Sequence, residues 1–195
     1  MSTRFFSFSD DTPFSTEAAL VNASSSHYEE DWPSIPHTHA FTELFYVSEG
    51  SGEFLIENQR FSIKKDDLII VNPHIQHTET SLSASPLSYY TVGVDGISFS
   101  FQDQKEFQIF HCRQKHADLL FYFHSLFQEL DEKNDGYEEI CKHTLAILIA
   151  QLRRFAVSDF QLFPSFHPSK ECALVKRYLD SHYSDDINLE QLASL

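Results

Sequence analysis

His37-Thr38-His39-Ala40-Phe41-Thr42-Glu43, with Gly50 beyond it, is the stretch on which the reading turns. Side chains alternate between the two faces of a strand. If residues 37–47 run as one strand, then His37, His39, Phe41, Glu43, Phe45 and Val47 share a face. Three of these can ligate a metal or hydrogen-bond a polar ligand, and three are apolar wall. A polar set embedded in an apolar face is how a small-molecule pocket is commonly built. His77 is a fourth candidate, in Asn72-Pro73-His74-Ile75-Gln76-His77.

Outward from this stretch the pattern is β. Glu43 to Ser48 and Gly52 to Glu57 read as strands joined at Glu49-Gly50-Ser51, and Asn58-Gln59 suits a hairpin turn into Arg60 to Ile63. After the turn at Asp66-Asp67, Leu68-Ile69-Ile70-Val71 is a continuous apolar run of the kind buried strands have. Ser88 to Val94 and Phe107 to Phe110 are further candidates. Many short strands between turns predict a sandwich or small barrel over 35–112. Residues 1–34 read as an irregular or edge-like arm, with poor element formers at Asn22, Ser24-Ser25-Ser26 and Trp32-Pro33 and with Phe5, Phe6, Phe8 and Phe14 to pack on something.

Over 113–157 the period changes. Leu119, Leu120, Phe123, Leu126, Phe127 and Leu130 recur at helical spacing, Asp135-Gly136 breaks the chain, and Ile140, Cys141, Leu145, Leu148, Leu152 and Phe155 follow on a second helix. A short connection predicts antiparallel packing. The apolar stripe covers the β layer; a surplus would be free to pair two subunits. Residues 158–170, with Pro164 and Pro168, read as a linker. Residues 171–195 open an amphipathic helix from Ala173 to Tyr183, and Asn188 with Gln191 three residues on has the form of a helix-capping box.

The spacing His-x-His, three residues, Glu, six residues, Gly resembles the first motif of the cupin superfamily, with Asp31 where its leading Gly would stand. The second cupin motif is matched loosely, with Asp67 in place of its first Gly, no Gly after Pro73, and His77 one residue nearer to Pro73. That nearer spacing, through Lys65 to Pro73 and on to His77, resembles the sensor domain of AraC-type transcription regulators. The phrase from Val175 to Leu195 resembles the start of their DNA-binding domain, a first helix and the opening of a helix-turn-helix; without a following recognition helix the groove cannot be read, and the expectation is a cut-off beginning of that domain. The resemblance implies an α+β fold: a cupin-like β-barrel (double-stranded β-helix, or jelly roll) followed by an antiparallel helix pair. It implies an arm that folds over the pocket. It also implies a homodimer paired through the helices, for which Leu119, Phe123, Leu126, Leu130, Leu145 and Leu148 are the candidate residues.

Charge bounds the partners. The formal net charge is −15, from 14 basic and 29 acidic residues. Phosphate neutralisation needs the opposite balance, so the chain as it stands should not bind DNA, and anionic membranes should repel it; the AraC-type resemblance implies that DNA contact falls to a C-terminal domain largely absent here. Cys112, Cys141 and Cys172 are far apart with no C-x-x-C pair, which fits packing residues in a reducing compartment. No apolar run is long enough for a signal peptide core or a membrane span, and the expected location is cytoplasmic.

Three readings of His37, His39, Glu43 and His77 stay open. They form a cage for a divalent transition metal, zinc, iron, manganese or nickel. They bind a small polar effector, such as a sugar, without metal. Or they form a hydrogen-bonded structural cluster. His74, His111, His116 and His143 are read as surface or capping residues, and Phe41, Phe54 and Tyr90 as core before pocket. With no nucleophile, phosphate or dinucleotide motif, the only enzyme reading is a metal-dependent cupin oxygenase or isomerase. The favoured one is a non-enzymatic, effector-sensing part of an AraC-type regulator.

Overall fold

The alternating runs form strands in the computed structural model, which describes residues 18–28, 34–101, 105–112, 116–155, 160–164 and 188–193. In chain order these are β1 (Ala19–His27), β2 (Thr42–Glu49), β3 (Ser51–Ile56), β4 (Gln59–Lys64), β5 (Asp67–Val71), β6 (His77–Ser81), β7 (Ser88–Asp95), β8 (Ile97–Phe101) and β9 (Phe107–His111), then α1 (His116–Glu132), α2 (Tyr137–Phe155) and β10 (Phe160–Pro164). All belong to a unit ending at Pro164; residues 165–195 form a second.

Pairing is antiparallel, in a five-stranded sheet of order β1-β7-β2-β5-β9, a three-stranded sheet β4-β3-β6, and a β8–β10 pair. Two tight turns fix the register. Glu57 and Asn58 both have positive φ, 47° and 70°, giving β3–β4 a two-residue turn whose twist matches its strands. At the β2–β3 turn Gly50 has φ 78°, and a Cβ there would fall 1.9 Å from the Pro86 carbonyl oxygen, so only glycine fits.

β2 lies mid-sheet, and Thr42 to Val47 are buried on both faces. Its alternation sorts two cores. Leu44 and Tyr46 join Leu68, Ile70, Val92 and Val94 under the helices. Phe45 and Val47 join Ile69, Val71 and Tyr89 against Phe54, Ile56 and Ile63 of the small sheet. The layers are therefore small sheet, large sheet and helices. This is the expected α+β jelly roll with an antiparallel helix pair, except that the sheets face one another without closing into one barrel.

The helices follow the sequence period, and their ends suit the helix dipole at α2, with Glu138 and Glu139 first and Arg153 and Arg154 last. The six residues expected to pair two subunits are placed differently. Leu119, Phe123, Leu126 and Leu148 are 0% exposed, Leu145 1%, and Leu130 is partly buried, all against the sheet and one another. Phe123 stacks on Tyr46 at 5.1 Å. These side chains are interior to one chain; the outward apolar residues of the pair are Phe121, Ile140 and Ile147. A stripe wide enough to suggest a surplus was needed to cover a five-stranded sheet.

Other differences have local reasons. The part of the arm read as irregular or edge-like contains β1, an edge strand whose poor formers Asn22 and Ser24 to Ser26 are held by a ladder to β7, shifted in register between Leu20 and Asn22, and by a 2.6 Å hydrogen bond between the Ser24 and Thr91 hydroxyls. Within the expected linker, Phe160–Pro164 is β10, paired to β8. The arm residues Phe5 to Phe14 and the amphipathic run 173–183 lie outside the described residues. In the second unit, α3 (Leu189–Ala193) carries the capping box: the Asn188 amide donates to Gln191 Oε1 at 3.0 Å, and the Gln191 amide to Asn188 Oδ1 at 2.9 Å. Among the described residues no helix is long and apolar enough to cross a membrane.

Candidate metal and ligand site

The strand expected to begin at His37 begins at Thr42. Residues 37–41 instead form a connection zipped to the segment before β6. His37 and His77 exchange backbone hydrogen bonds at 3.0 Å each way, and the His74 amide donates to the His39 carbonyl at 2.7 Å. His74 itself is exposed, with φ 69°. Glu43 then enters from β2 of the large sheet and His77 from β6 of the small one, so the four candidates meet where the two sheets come together.

Glu43 is the hub. Its Oε2 lies 3.4 Å from His39 Nε2 and its Oε1 3.3 Å from His77 Nε2. The imidazoles of His37, His39 and His77 pack edge to face or tilted, with ring centroids 4.7–5.4 Å apart. Exposure is graded: His37 is exposed, the His39 side chain is 24% exposed, Glu43 8%, and His77 2%. Phe41 stacks on His39 at 4.7 Å, and Phe54 stacks on His77 at 5.7 Å. Phe41 has room because residue 93 is glycine; a Cβ there would come within 2.6 Å of the Phe41 ring. Both phenylalanines, read as core, thus also set the plane of an imidazole. Tyr90 packs on the helix side, against Phe123 and Phe127.

Tautomers follow from the backbone. His37 Nδ1 lies 3.0 Å from the Ile35 carbonyl, and His77 Nδ1 2.9 Å from the Ile75 carbonyl. A carbonyl only accepts, so each Nδ1 carries its proton and each Nε2 is the free donor atom of the neutral ring. Histidines that bind metals are held in this way. His77 Nε2 is buried and has no hydrogen-bond partner, since its approach to Glu43 lacks hydrogen-bond geometry. One ligand atom from each of His37, His39 and His77 lies within 4.8 Å of the others. Two nitrogens on one zinc ion at about 2.0–2.1 Å can be at most about 4.2 Å apart, so a small contraction would complete a first coordination shell. The donor set, the pinned tautomers and the orphaned nitrogen all fit a divalent transition ion.

Electrostatics bind the cluster together. Burial alone would raise the Glu43 carboxyl, but the imidazoles of His39 and His77, 3.4 and 3.3 Å from its oxygens, outweigh it and hold the group at about 2. Burial pulls His77 down, and Glu43 more than restores it, leaving the imidazole above its usual value. A metal would therefore compete with a proton for His77 Nε2.

Two polar residues were not anticipated. Glu79, two residues along β6 from His77, is 7% exposed and accepts the Tyr89 hydroxyl at 2.6 Å. The signal was period-two alternation in His77-Thr78-Glu79, hidden because the stretch is not apolar. Asp67, which stands where the second cupin motif has glycine, is wholly buried and structural: it accepts from the Lys64 amide at 3.0 Å and pairs with His111 at 2.7 Å. Cys112 nearby is pushed up to about 11 by burial and by Asp67 and Asp66, as an inert thiol.

The arrangement has relatives. The family model of the AraC-like ligand binding domain matches residues 24–148. The Escherichia coli (strain K12) protein described as "Uncharacterized HTH-type transcriptional regulator YdiP" is 26% identical over 181 residues, 83% of this chain and 56% of YdiP, so the chain spans about half of that relative. A variant of ToxT from Vibrio cholerae superposes with a TM-score of 0.52 at 10% identity, over 88% of this chain and 68% of ToxT, a likeness of fold alone. Match and geometry cover the same strands and the same histidines: the chain belongs to the AraC-like ligand-binding domain family.

Proposed function

We propose that the chain is the effector-sensing and dimerising part of an AraC-type transcriptional regulator, and that His37, His39 and His77, with Glu43 behind them, hold a divalent transition ion beside which a small polar effector docks. The observation that carries this is the buried His77 Nε2, unpartnered at the centre of a donor set drawn from both sheets. A structural cluster would have satisfied that atom. When bound, zinc, iron, manganese or nickel would supply a Lewis-acidic point for an effector oxygen. A sugar is one such effector.

Control follows from linkage. An effector shifts a regulator only by its differential affinity for two arrangements, and here these would differ in how two subunits set the spacing of their DNA-binding domains. With a net charge of −15 this chain leaves phosphate contact to another part of the protein, which works in the cytoplasm. Subunits would meet through the outward faces of α1 and α2, where Phe121 is 64% and Ile147 45% exposed. The same donor set would serve a metal-dependent oxygenase or isomerase; the family match and the regulator relative favour sensing over catalysis.

The test is metal analysis of tag-free protein as purified, beside His39→Ala. Near-stoichiometric metal, lost in the variant, is expected. Metal-free protein that also refuses added zinc would turn the cluster into a bare polar pocket.

A further inference from the structure

The interior between the sheets is polar at one side and apolar at the other. Strand register shows which residues face it. Ser24 and Ser26 of β1 pair with Thr91 and Tyr89 of β7, which pair in turn with Phe45 and Val47 of β2. Phe45, Val47 and Tyr89 belong to the core between the sheets, so Ser24, Ser26 and Thr91 lie on that face too. On the small sheet Glu79 pairs with Phe54, and His77 with Ile56, both of the same core. The far side, at β9 and β4, is hydrocarbon, with Phe107 against Phe61 at 5.3 Å.

Glu79 is unusual among these groups. A carboxylate is an acceptor with about four lone-pair sites; Tyr89 fills one, at 2.6 Å. Tyr89 is itself held by stacking on Phe45 at 4.3 Å, opposite Ser26 of β1. All the described lysines and arginines are exposed, and among the described residues the cationic partners recorded for Glu43 are histidines. As pure structure, such a buried acid is outperformed by a hydrocarbon pair. It lies on the same face of β6 as the unpartnered His77 Nε2.

We infer that Glu79, oriented by Tyr89, is a second subsite of the effector pocket that takes the hydroxyl or ammonium hydrogens of a neutral or cationic ligand and refuses carboxylates and phosphates. The inference rests on the effector-sensing reading and adds the ligand's chemical class. A donor-bearing ligand end meets a carboxylate with more lone pairs than the one Tyr89 fills. An acid end finds two buried carboxylates and no described lysine or arginine, and a site built for a hydrogen-bond donor strongly disfavours a ligand lacking it.

The test uses the protein both chelator-treated and zinc-supplemented, with matched triples of one scaffold: glucose, glucosamine and glucuronate; galactose, galactosamine and galacturonate; 1,4-butanediol, putrescine and succinate. Binding is read by thermal shift and calorimetry on wild type, Glu79→Gln, Tyr89→Phe and His39→Ala, with near-ultraviolet circular dichroism to establish that each variant is folded. Neutral or ammonium members are expected to bind and acids not to. Glu79→Gln should cost about tenfold or more in affinity, a loss of one charge-assisted hydrogen bond, and Tyr89→Phe should cost less. Acids that bind as well as their partners, binders indifferent to folded Glu79→Gln, or no binding by any member would each overturn the subsite. A binder lost in His39→Ala yet untouched in Glu79→Gln would overturn it while leaving the effector-sensing reading intact.

Discussion

The two cores of this molecule share one sheet and treat buried polar groups in opposite ways. Under the helices each buried polar side chain at the sheet has a settled partner. The Thr42 hydroxyl donates to the Ile97 carbonyl at 2.8 Å, and Asn72 both donates to the Phe99 carbonyl at 2.6 Å and accepts from its amide at 2.9 Å. Between the sheets the polar groups crowd at one side, and His77 Nε2 has no hydrogen-bond partner. Buried polar atoms that are satisfied hold a fold together; one that is not calls for another explanation. β2 carries the division residue by residue, Leu44 and Tyr46 to one side, Glu43, Phe45 and Val47 to the other.

The contrast can be broken most forcefully on the helix side. Phe123→Ala removes a wholly buried ring stacked on Tyr46 and should cost about 3–5 kcal/mol in urea unfolding. Leu126→Glu or Leu148→Glu, at positions 0% exposed, should unfold the chain and not merely dissociate a dimer. Asn72→Ala strands the Phe99 amide and carbonyl and should cost about 2–3 kcal/mol. A loss below about 0.5 kcal/mol would mean that the helix-side polar groups are no more structural than the others.

On the other side the same operation should cost less. His77→Leu removes the unpartnered nitrogen but leaves buried Glu43 with His39 alone, so in chelator it should cost some stability, less than Phe123→Ala, while abolishing metal binding. Acid sharpens the comparison. Glu43 sits at about 2 in the folded protein against 4.5 ordinarily, so its contribution is present above about 4.5 and is lost as pH falls toward about 2. His77, raised above 6.5, contributes below that value and loses it as pH rises through its folded pKa. Urea melts of metal-free Glu43→Gln should show a flatter stability slope between pH 4.5 and 2 than wild type; an unchanged slope would place the acid sensitivity elsewhere. The smallest effect belongs to the outer helix face: Phe121→Glu should shift stability by about 0.5 kcal/mol or less while weakening self-association in sedimentation.

Much of this was legible in the sequence. Continuous apolar runs such as Leu68 to Val71, the turn at Gly50 and the change of period after residue 113 translate directly into strands and helices, because burial enforces them. The spacing of His37, His39, Glu43 and His77 pointed to four side chains that the fold brings together. What was hidden depends on contacts distant in sequence. The β1 serines form a strand only because β7 offers a ladder. His37 and His39 reach the site from a connection pinned by residues 74–77, not from a strand. Glu79 gains meaning only when Tyr89, on another strand, is laid beside it. The leucine stripe looked too wide because the area of the sheet it covers is not written in the helices.

The central claim is that His77 Nε2 waits for an ion. Calorimetric titration of chelator-stripped, tag-free protein with zinc tests it most directly. The account predicts about one ion per chain, competition by protons as pH falls, and loss of binding in both His39→Ala and His77→Leu. No zinc binding, or binding that survives both substitutions, would contradict it.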